Sequence, residues 1–354
     1  MKQIKIGNRL VGEGQEPFVI LEAGINHNGE LSKALEMIEI AKSLGADSVK
    51  FQTFRANEFI TDPKLMFTYK SQGKEVTESM LEMFQRYEFS RSDWLAIKKK
   101  CEDTGILFLS TPQNRSDLDL LLELGVPAIK VGSDDFTNLP LLSDYASAGL
   151  PMLVSCGMAD MAEVHTALEA VGAFDGKPTI LLLCTSQYPT PAQDVNLRKL
   201  KTLSSAFPML VMGFSDHTQG PLASSLAVAL GARVFEKHFT LSHDLPGPDQ
   251  WFSEDPAGAK EWIDSIRNAY VMLGSSVVRP TEAERKMRVL ARRSIVALRD
   301  IAAGDLLSKD NLGLRRPGNG LAPAMFEQVL GKTATANIAK GGMIKLGDFN
   351  DGNA

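Results

Sequence analysis

Along most of the chain, short apolar runs alternate with longer stretches whose apolar positions recur at helical spacing. The short runs are 18–23 (FVILEA), 48–53 (SVKFQT), 107–111 (LFLST), 128–133 (AIKVGS), 152–157 (MLVSCG), 179–184 (TILLLC), 210–214 (LVMGF) and 233–239 (RVFEKHF). They are rich in Val, Ile and Leu and alternate little, as strands buried on both faces do. Amphipathic stretches such as 31–44, 94–104, 116–124 and 161–171 separate them. Gly45, Gly125 and Gly231 stand where helix C-caps are expected. Eight strand-then-helix units in succession predict an α/β fold, a (β/α)8 TIM barrel rather than an open sheet. No Gly-x-Gly-x-x-Gly follows the first strand, which weighs against a dinucleotide fold.

Three segments break the rhythm. Residues 4–14 (IKIGNRLVGEG) alternate around Gly-Asn and predict an N-terminal hairpin that plugs one end of the barrel. Residues 55–89 form a long insertion after the second strand, of a length that suits a substrate lid. Beyond residue 274 the pattern changes: 275–293 is charged, carries a proline and reads as a linker with some helix. The remainder, 294–354, holds an internal echo, DIAAGDLLSKDNL at 300–312 and NIAKGGMIKLGDF at 337–349. It predicts a small β-rich module with pseudo-symmetry, of a size that folds only marginally alone and leans on a partner surface. The predicted division is therefore a barrel at 1–274, a linker at 275–293 and a small domain at 294–354.

Composition narrows the functional classes. Of 354 residues, 44% are hydrophobic and 23% charged, with a net charge of −5. That balance excludes a general nucleic-acid or membrane-surface binder while allowing a local basic site. Cys101, Cys156 and Cys184 are widely spaced and odd in number, so free thiols in a cytoplasmic setting are expected. The opening MKQIKIGNRL has charge but no apolar core of a signal peptide, and no apolar run has the ~20 residues of a membrane span.

In a barrel the polar groups at the C-terminal ends of the strands share one mouth. Here every such end carries at least one: Glu22; Lys50 and Gln52; Ser110 and Thr111; Lys130 and Ser133; Ser155; Ser186 and Tyr188; Ser215 and His217; Glu236 and His238. Lys50/Gln52, Ser215/His217 and Glu236/His238 are each two apart, so each pair faces one side of its strand. Lys50 and Lys130 interrupt apolar runs, where an unpaired charge is costly. Either they pair with Glu22 or Glu236, or with the hydroxyls of Thr111, Ser133 and Ser155 they hold a doubly anionic ligand such as a phosphate. His217 and His238 are candidate ligands of one divalent metal. Two protein ligands are too few for structural zinc but suit an open site where Mn²⁺ or Mg²⁺ acts as a Lewis acid. Glu22 is either a lysine's counter-charge or a sugar-hydroxyl acceptor and acid/base group. Asp249, in GPDQWFS, falls within reach of the mouth, whereas Trp94, Trp251 and Trp262 read as packing. His27 is not counted as a ligand, and His165 and His243 read as surface residues.

Ordered motifs along the chain carry a resemblance. They are EAGINHNG (22–29), VKFQTF (49–54), STPQ (110–113), IKVGS (129–133), SCGMA (155–159), CTSQYPTP (184–191), GFSDHT (213–218), EKHFT (236–240) and GPD (247–249). Together they resemble the sialic acid synthase family, whose members make nonulosonic acids. The C-terminal echo and RRPGNGL (315–321) resemble that family's antifreeze-like (SAF) domain, a β-clip. The resemblance implies condensation of phosphoenolpyruvate with an N-acetylated hexosamine, N-acetylmannosamine or a diacetamido-trideoxyhexose, with release of phosphate. It implies that Lys50, Thr111, Lys130, Ser133, Ser155, Ser186 and Ser215 hold phosphoenolpyruvate, and that Glu22, Gln52, Tyr188 and Asp249 contact the sugar. Glu22, Glu236, Lys50 and Lys130 would be catalytic, and His217 and His238 would hold Mn²⁺, with Mg²⁺ or Co²⁺ as substitutes. Arg316 would enter the mouth of a second subunit in a domain-swapped homodimer. The rival readings are another phosphoenolpyruvate-condensing sugar-acid synthase and a non-catalytic carbohydrate-binding protein.

Overall fold

The eight apolar runs form eight parallel strands: β1 (Phe18–Gly24), β2 (Ser48–Thr53), β3 (Leu107–Pro112), β4 (Ile129–Val131), β5 (Met152–Ser155), β6 (Thr179–Cys184), β7 (Val211–Ser215) and β8 (Val234–His238). In the computed structural model, which describes residues 2–351, they pair in the order β3-β2-β1-β8-β7-β6-β5-β4. β3 and β4 stand side by side and complete the ring. Most boundaries match the expected runs. β4 is shorter than 128–133, because Gly132 and Ser133 already belong to the loop beyond it. The helix expected at 94–104 begins earlier, at Arg91, because Ser90 and Asp93 form a reciprocal capping box.

Strand parity sorts the residues into two cores. Val19, Leu21, Val49, Phe51 and Phe108 point outward and pack beneath the helices. Phe18, Ile20, Leu109, Leu153, Ile180, Leu182 and Val234 point inward and fill the lower barrel. The hairpin of Gln3–Ile6 with Arg9–Gly12 closes that end, placing Ile6 and Val11 in the same interior cluster. Gly213 is demanded by space in this interior: a Cβ there would lie 2.8 Å from the Val234 carbonyl oxygen. With the lower half dry, the inward positions nearer the strand C-termini are the ones left for chemistry.

The insertion is a built structure. A short helix (Ala56–Phe59) leads into an antiparallel hairpin, Met66–Ser71 with Lys74–Ser79, and then a helix at Met80–Gln85. Gln72 and Gly73, with φ of 51° and 76°, make the two-residue turn whose twist suits a hairpin. The tip is tied to the loop after β8: the Gln72 amide donates to the Asp244 carbonyl (2.7 Å), and the Gly247 N–H donates to Ser71 Oγ (3.1 Å). Phe54, Phe59 and Phe84 brace its base in edge-on contacts.

The chain divides into two compact units between Gly274 and Ser275. The second opens with a helix (Glu282–Ala291) capped by Thr281 and Glu284. Its small domain pairs Ser294–Ala297 with Leu312–Arg315 around a core that includes Ile295, Ile301, Leu312 and Ile338. The echo is a pseudo-two-fold. Ile301 and Ile338 exchange backbone hydrogen bonds, and the Gly304 and Gly341 N–H groups donate to the Ala334 and Ala297 carbonyls in matching fashion. Both glycines have left-handed φ, at 92° and 81°.

His27 is fully buried beneath the barrel's upper rim, stacked on Phe89 with ring centroids 4.2 Å apart. Its Nδ1 accepts the Gly29 N–H (3.0 Å) and its Nε2 has no partner. Burial pulls its pKa from 6.5 down to about 3. Stability should therefore fall as pH drops below 6.5, because the unfolded chain takes up a proton that the folded chain refuses. Between pH 6 and pH 5 the loss due to His27 is about 1 kcal/mol. Urea melts of the wild type and of His27→Phe at those two pH values measure it. The pH-dependent difference should shrink by that amount in the variant, and an undiminished difference would refute the assignment.

Candidate active site

All the barrel residues expected at the mouth except Ser110 line one cavity of about 690 Å³ at the C-terminal ends of the strands: Glu22, Lys50, Gln52, Thr111, Lys130, Ser133, Ser155, Ser186, Tyr188, Ser215, His217, Glu236, His238 and Asp249. Parity explains why. Glu22 follows Ile20 on the inward face of β1, Thr111 follows Leu109 on β3, Lys130 follows Ala128, and Ser155 follows Leu153. Ser110 does not reach the mouth; it faces the helix layer and shares a 2.7 Å hydrogen bond with Thr53. Arg316 lies in the second unit, exposed and without an ion pair among the described residues.

The cavity floor is a cluster of four buried charges. Lys50 Nζ lies 2.7 Å from Glu22 Oε2 and 3.8 Å from Glu236 Oε2. Lys130 Nζ lies 3.6 Å from Glu236 Oε1. Hydroxyls and amides complete the shell. Lys50 donates to Thr111 Oγ1 (3.1 Å), Lys130 to Ser155 Oγ and to the Val131 carbonyl (both 2.9 Å), Ser215 to Glu236 (3.0 Å), and Gln52 to Glu22 (3.2 Å). The pairing of the lysines is present, since each lies against a glutamate, and each also lines the cavity. The glutamates are pushed apart in acidity. Burial raises Glu22 to about 7, against the opposing pull of Lys50. Burial would raise Glu236 too, but Lys130 and Lys50 together bring it down to about 2. One carboxyl is thus poised to exchange a proton near neutrality while the other stays ionised. When Glu22 is protonated the floor carries a net positive charge and suits an anion.

Above the floor, the His217 and His238 rings stand 5.6 Å apart between centroids. His217 Nδ1 donates to the Thr185 carbonyl (2.8 Å), which turns Nε2 toward the cavity side, 3.5 Å from Ser215 Oγ. A backbone carbonyl fixing one ring nitrogen is the outer-shell arrangement of metal-bound histidine. His238 Nδ1 is buried without a hydrogen-bond partner, 3.8 Å from Asp249 Oδ2. Burial holds His238 well below its ordinary pKa, so the ring is neutral, as a ligand must be. Among the described residues no group of three or more His, Cys, Asp or Glu side chains is arranged around a metal site. The donors present fit a two-histidine site whose other positions go to water and substrate.

Comparison with known proteins extends this geometry. Residues 37–278 match the model of the NeuB family, and residues 292–350 match the SAF domain. The chain belongs to the NeuB family. It is 40% identical to the N,N'-diacetyllegionaminic acid synthase of Legionella pneumophila, over 93% of this chain and 94% of that protein. It is 34% identical to the human N-acetylneuraminate-9-phosphate synthase, over 93% and 92%. It also resembles the crystal structure of an N-acetylneuraminic acid synthetase from Leptospira borgpetersenii in complex with citrate. That match has a TM-score of 0.72 at 32% identity and covers 80% of this chain and 94% of that one.

This NeuB-family site contains residues that the strand pattern did not single out. Cys184 lines the cavity two positions after inward-facing Leu182, so parity alone could have found it. Trp251 is a cavity wall rather than packing, with Lys70 from the inserted hairpin 4.8 Å above its ring. Phe67, Tyr69 and Lys70 also line the cavity, and nothing in the local sequence of a polar hairpin announces this. Trp94 and Trp262 are buried, as expected, and His165 and His243 are exposed.

The floor predicts a pH-dependent anion affinity. Sulfate, which does not titrate near neutrality, should bind less well as pH rises through about 7 and Glu22 ionises. The fall between pH 6 and pH 8 is about tenfold for one coupled proton. Calorimetric titrations at the two pH values check it. Glu22→Gln should abolish the fall, whereas the same fall in the variant would remove Glu22 as its cause.

Proposed function

We propose that this chain is a nonulosonic acid synthase that condenses phosphoenolpyruvate with an N-acetylated hexosamine, either N-acetylmannosamine or a diacetamido-trideoxyhexose, and releases phosphate. The carrying observation is one cavity in which two buried lysines, ringed by hydroxyls, lie beneath two histidines at adjacent strand ends. An anionic, phosphorylated reactant suits the lysine floor, and a polyhydroxylated one suits the mouth above it. The named relatives, synthases of legionaminic and neuraminic acids, support the same pairing of substrates.

In this reading Lys50 and Lys130, with Thr111, Ser133, Ser155, Ser186 and Ser215, hold the phosphate and carboxylate of phosphoenolpyruvate. Glu22, Gln52, Tyr188 and Asp249 hold the open-chain sugar with its aldehyde toward the histidines. The methylene carbon of phosphoenolpyruvate bonds to the aldehyde carbon, and the aldehyde oxygen takes a proton and becomes a hydroxyl. Water then adds to the former enol carbon, the bond from that carbon to the phosphate ester oxygen breaks, inorganic phosphate leaves with that oxygen, and the added oxygen loses its protons and becomes the ketone. Glu22, near neutrality in its acidity, is suited to exchange the protons, and ionised Glu236 to stabilise the positive centre between the two steps. A divalent metal held by His217 and His238, Mn²⁺ first and Mg²⁺ or Co²⁺ as substitutes, would supply Lewis acidity at the aldehyde oxygen.

The second unit has its place in the same proposal. Arg316, exposed and unpaired, would meet the substrate in the barrel of a second copy, making the working form a domain-swapped homodimer. No helix among the described residues is long and apolar enough to cross a membrane. A cytoplasmic enzyme without nucleic-acid or membrane partners is the reading that goes with phosphoenolpyruvate as substrate.

Phosphate release from phosphoenolpyruvate in the presence of the pooled hexosamine acceptors, with and without Mn²⁺, tests the reaction. Release should require both acceptor and metal, and a product with the mass of the acceptor plus the pyruvyl unit should accompany it. Absence of release from folded, metal-loaded protein would sink the proposal. The metal has its own test. His217→Ala and His238→Ala should each weaken Mn²⁺ binding at least about tenfold by electron paramagnetic resonance, with circular dichroism unchanged. Wild-type Mn²⁺ affinity in both variants would end the assignment.

A further inference from the structure

A second cavity, of about 610 Å³, lies against the first and shares Met158, Cys184 and Ser186 with it. It is lined from both the helix Met161–Ala170 and the helix Arg198–Ala206. Val164 and Leu203 form its buried side, and Lys199, Thr202 and Gln187 its exposed side. The condensation as proposed makes no use of it. A need for it arises at the end of the reaction. Phosphate forms on the floor, beneath the newly made sugar acid. Above both, the hairpin is tied to the loop after β8 through Gln72 and Ser71. By the mouth, phosphate leaves only after the larger product.

The wall between the two cavities is built to yield. Gly157 leaves a gap in it: a Cβ there would lie 2.4 Å from Ser186 Oγ and 2.5 Å from Ser133 Oγ. Ser133 Oγ accepts the Gly157 N–H (3.1 Å), whereas Ser186 Oγ is buried and has no partner. A buried hydroxyl without a partner is costly unless something comes to it. Met158 stands at the same point. It is 73% exposed, and its φ of 63° is one that a residue other than glycine seldom adopts. Its unbranched side chain is flexible and free to swing. Beyond it, Lys199 is the cation of this lining, exposed and in no ion pair among the described residues. Asp160, the carboxylate of this lining, caps the helix Met161–Ala170 by accepting the Glu163 N–H (2.9 Å). The order from floor to solvent is Lys130, the hydroxyls of Ser133 and Ser186, the movable Met158, and then Lys199.

We infer that product phosphate leaves sideways, past Ser186 and Met158, into the second cavity and out beside Lys199. The inference rests on the proposed condensation and adds an exit to it. Phosphate exchanges one set of hydroxyl donors for the next, so it keeps hydrogen-bond partners on the way. Lys199 supplies an attractive charge at the outer end. The route lets phosphate depart while the sugar acid is still bound, and the sugar acid leaves by the mouth through which the acceptor entered.

Two time courses of one reaction test this, with phosphoenolpyruvate, Mn²⁺ and the pooled hexosamine acceptors. Acid quench-flow follows all phosphate formed, and a fluorescent phosphate-binding protein follows phosphate set free. Met158→Trp fills the passage and should slow free phosphate at least about tenfold, with the quenched time course unchanged. Met158→Gly, which relieves the backbone and widens the passage, should not slow it. Lys199→Glu should slow it by a smaller factor, and the more so at low salt. Free phosphate at the wild-type rate in folded Met158→Trp would overturn the route, as would equal slowing in Met158→Gly. A quenched course slowed to match would place Met158 in phosphoenolpyruvate binding and overturn the route as well. All three outcomes leave the condensation standing. No phosphate formed by the wild type would overturn the condensation itself, and the exit with it.

Discussion

The site depends on the burial of four charges in one small volume. Glu22, Lys50, Lys130 and Glu236 are 1%, 3%, 2% and 6% exposed. None could lie there alone, since an unpaired buried charge costs several kcal/mol, and removal of one partner from such a cluster costs about 3–5 kcal/mol. Two lysines and two glutamates satisfy the condition by being equal in number, and Thr111, Ser155, Ser215 and Gln52 add hydrogen bonds, while Glu22 Oε2 and Glu236 Oε2 are left with ion-pair contacts alone. The arrangement is neutral but not inert. The two carboxyls differ widely in acidity because Glu236 lies between both lysines while Glu22 leans on one. A proton arriving on Glu22 converts a charge-balanced floor into one that favours negative charge. The same burial that makes the cluster costly makes it responsive.

The barrel was legible because its constraint is local and repeated. A strand covered on both faces is apolar along its whole length, so Lys50 and Lys130 stand out as interruptions in the sequence itself. Parity then grouped Ser215 with His217 and Glu236 with His238, and all four line the cavity. Counting every polar residue at a strand end, without parity, fails in one place. Ser110 and Thr111 are neighbours at one strand end and must face opposite ways; only Thr111 enters the site, while Ser110 pairs with Thr53 in the helix layer. The pseudo-two-fold of the small domain was legible for the same reason as the strands. A repeated Ile-Ala-x-Gly turn demands the left-handed glycine at Gly304 and at Gly341, and the two turns bond alike.

The wall of the cavity was not legible, and the reason is distance along the chain. Tyr69 and Trp251 come from segments that share no periodic pattern. What joins them is the fastening of the hairpin tip to the loop beyond β8, through Ser71 to Gly247 and Gln72 to Asp244. One face of the hairpin is turned to an open cavity rather than to a core. Aromatic residues there obey the same pattern as packing residues, and only the opposite wall distinguishes the two.

A charged pair behind the site shows how the strand ends are held. Asp216 and Lys237 each adjoin a candidate metal ligand in sequence and therefore point the opposite way, out of the cavity. Lys237 Nζ lies 3.3 Å from Asp216 and 3.6 Å from Glu254, and it also donates to the Thr218 carbonyl. Asp216 in turn accepts from the Thr218 N–H and hydroxyl and from Ser224 Oγ, which takes the Trp262 indole N–H. β7 and β8 are thus locked together at the residues immediately preceding His217 and His238. Because side chains alternate, fixing the outward pair fixes the backbone from which the inward pair projects. The spacing of the two imidazoles is then set by a buried ion pair that never touches a ligand. Precision on the reactive face of this barrel is generated on the face turned away from it.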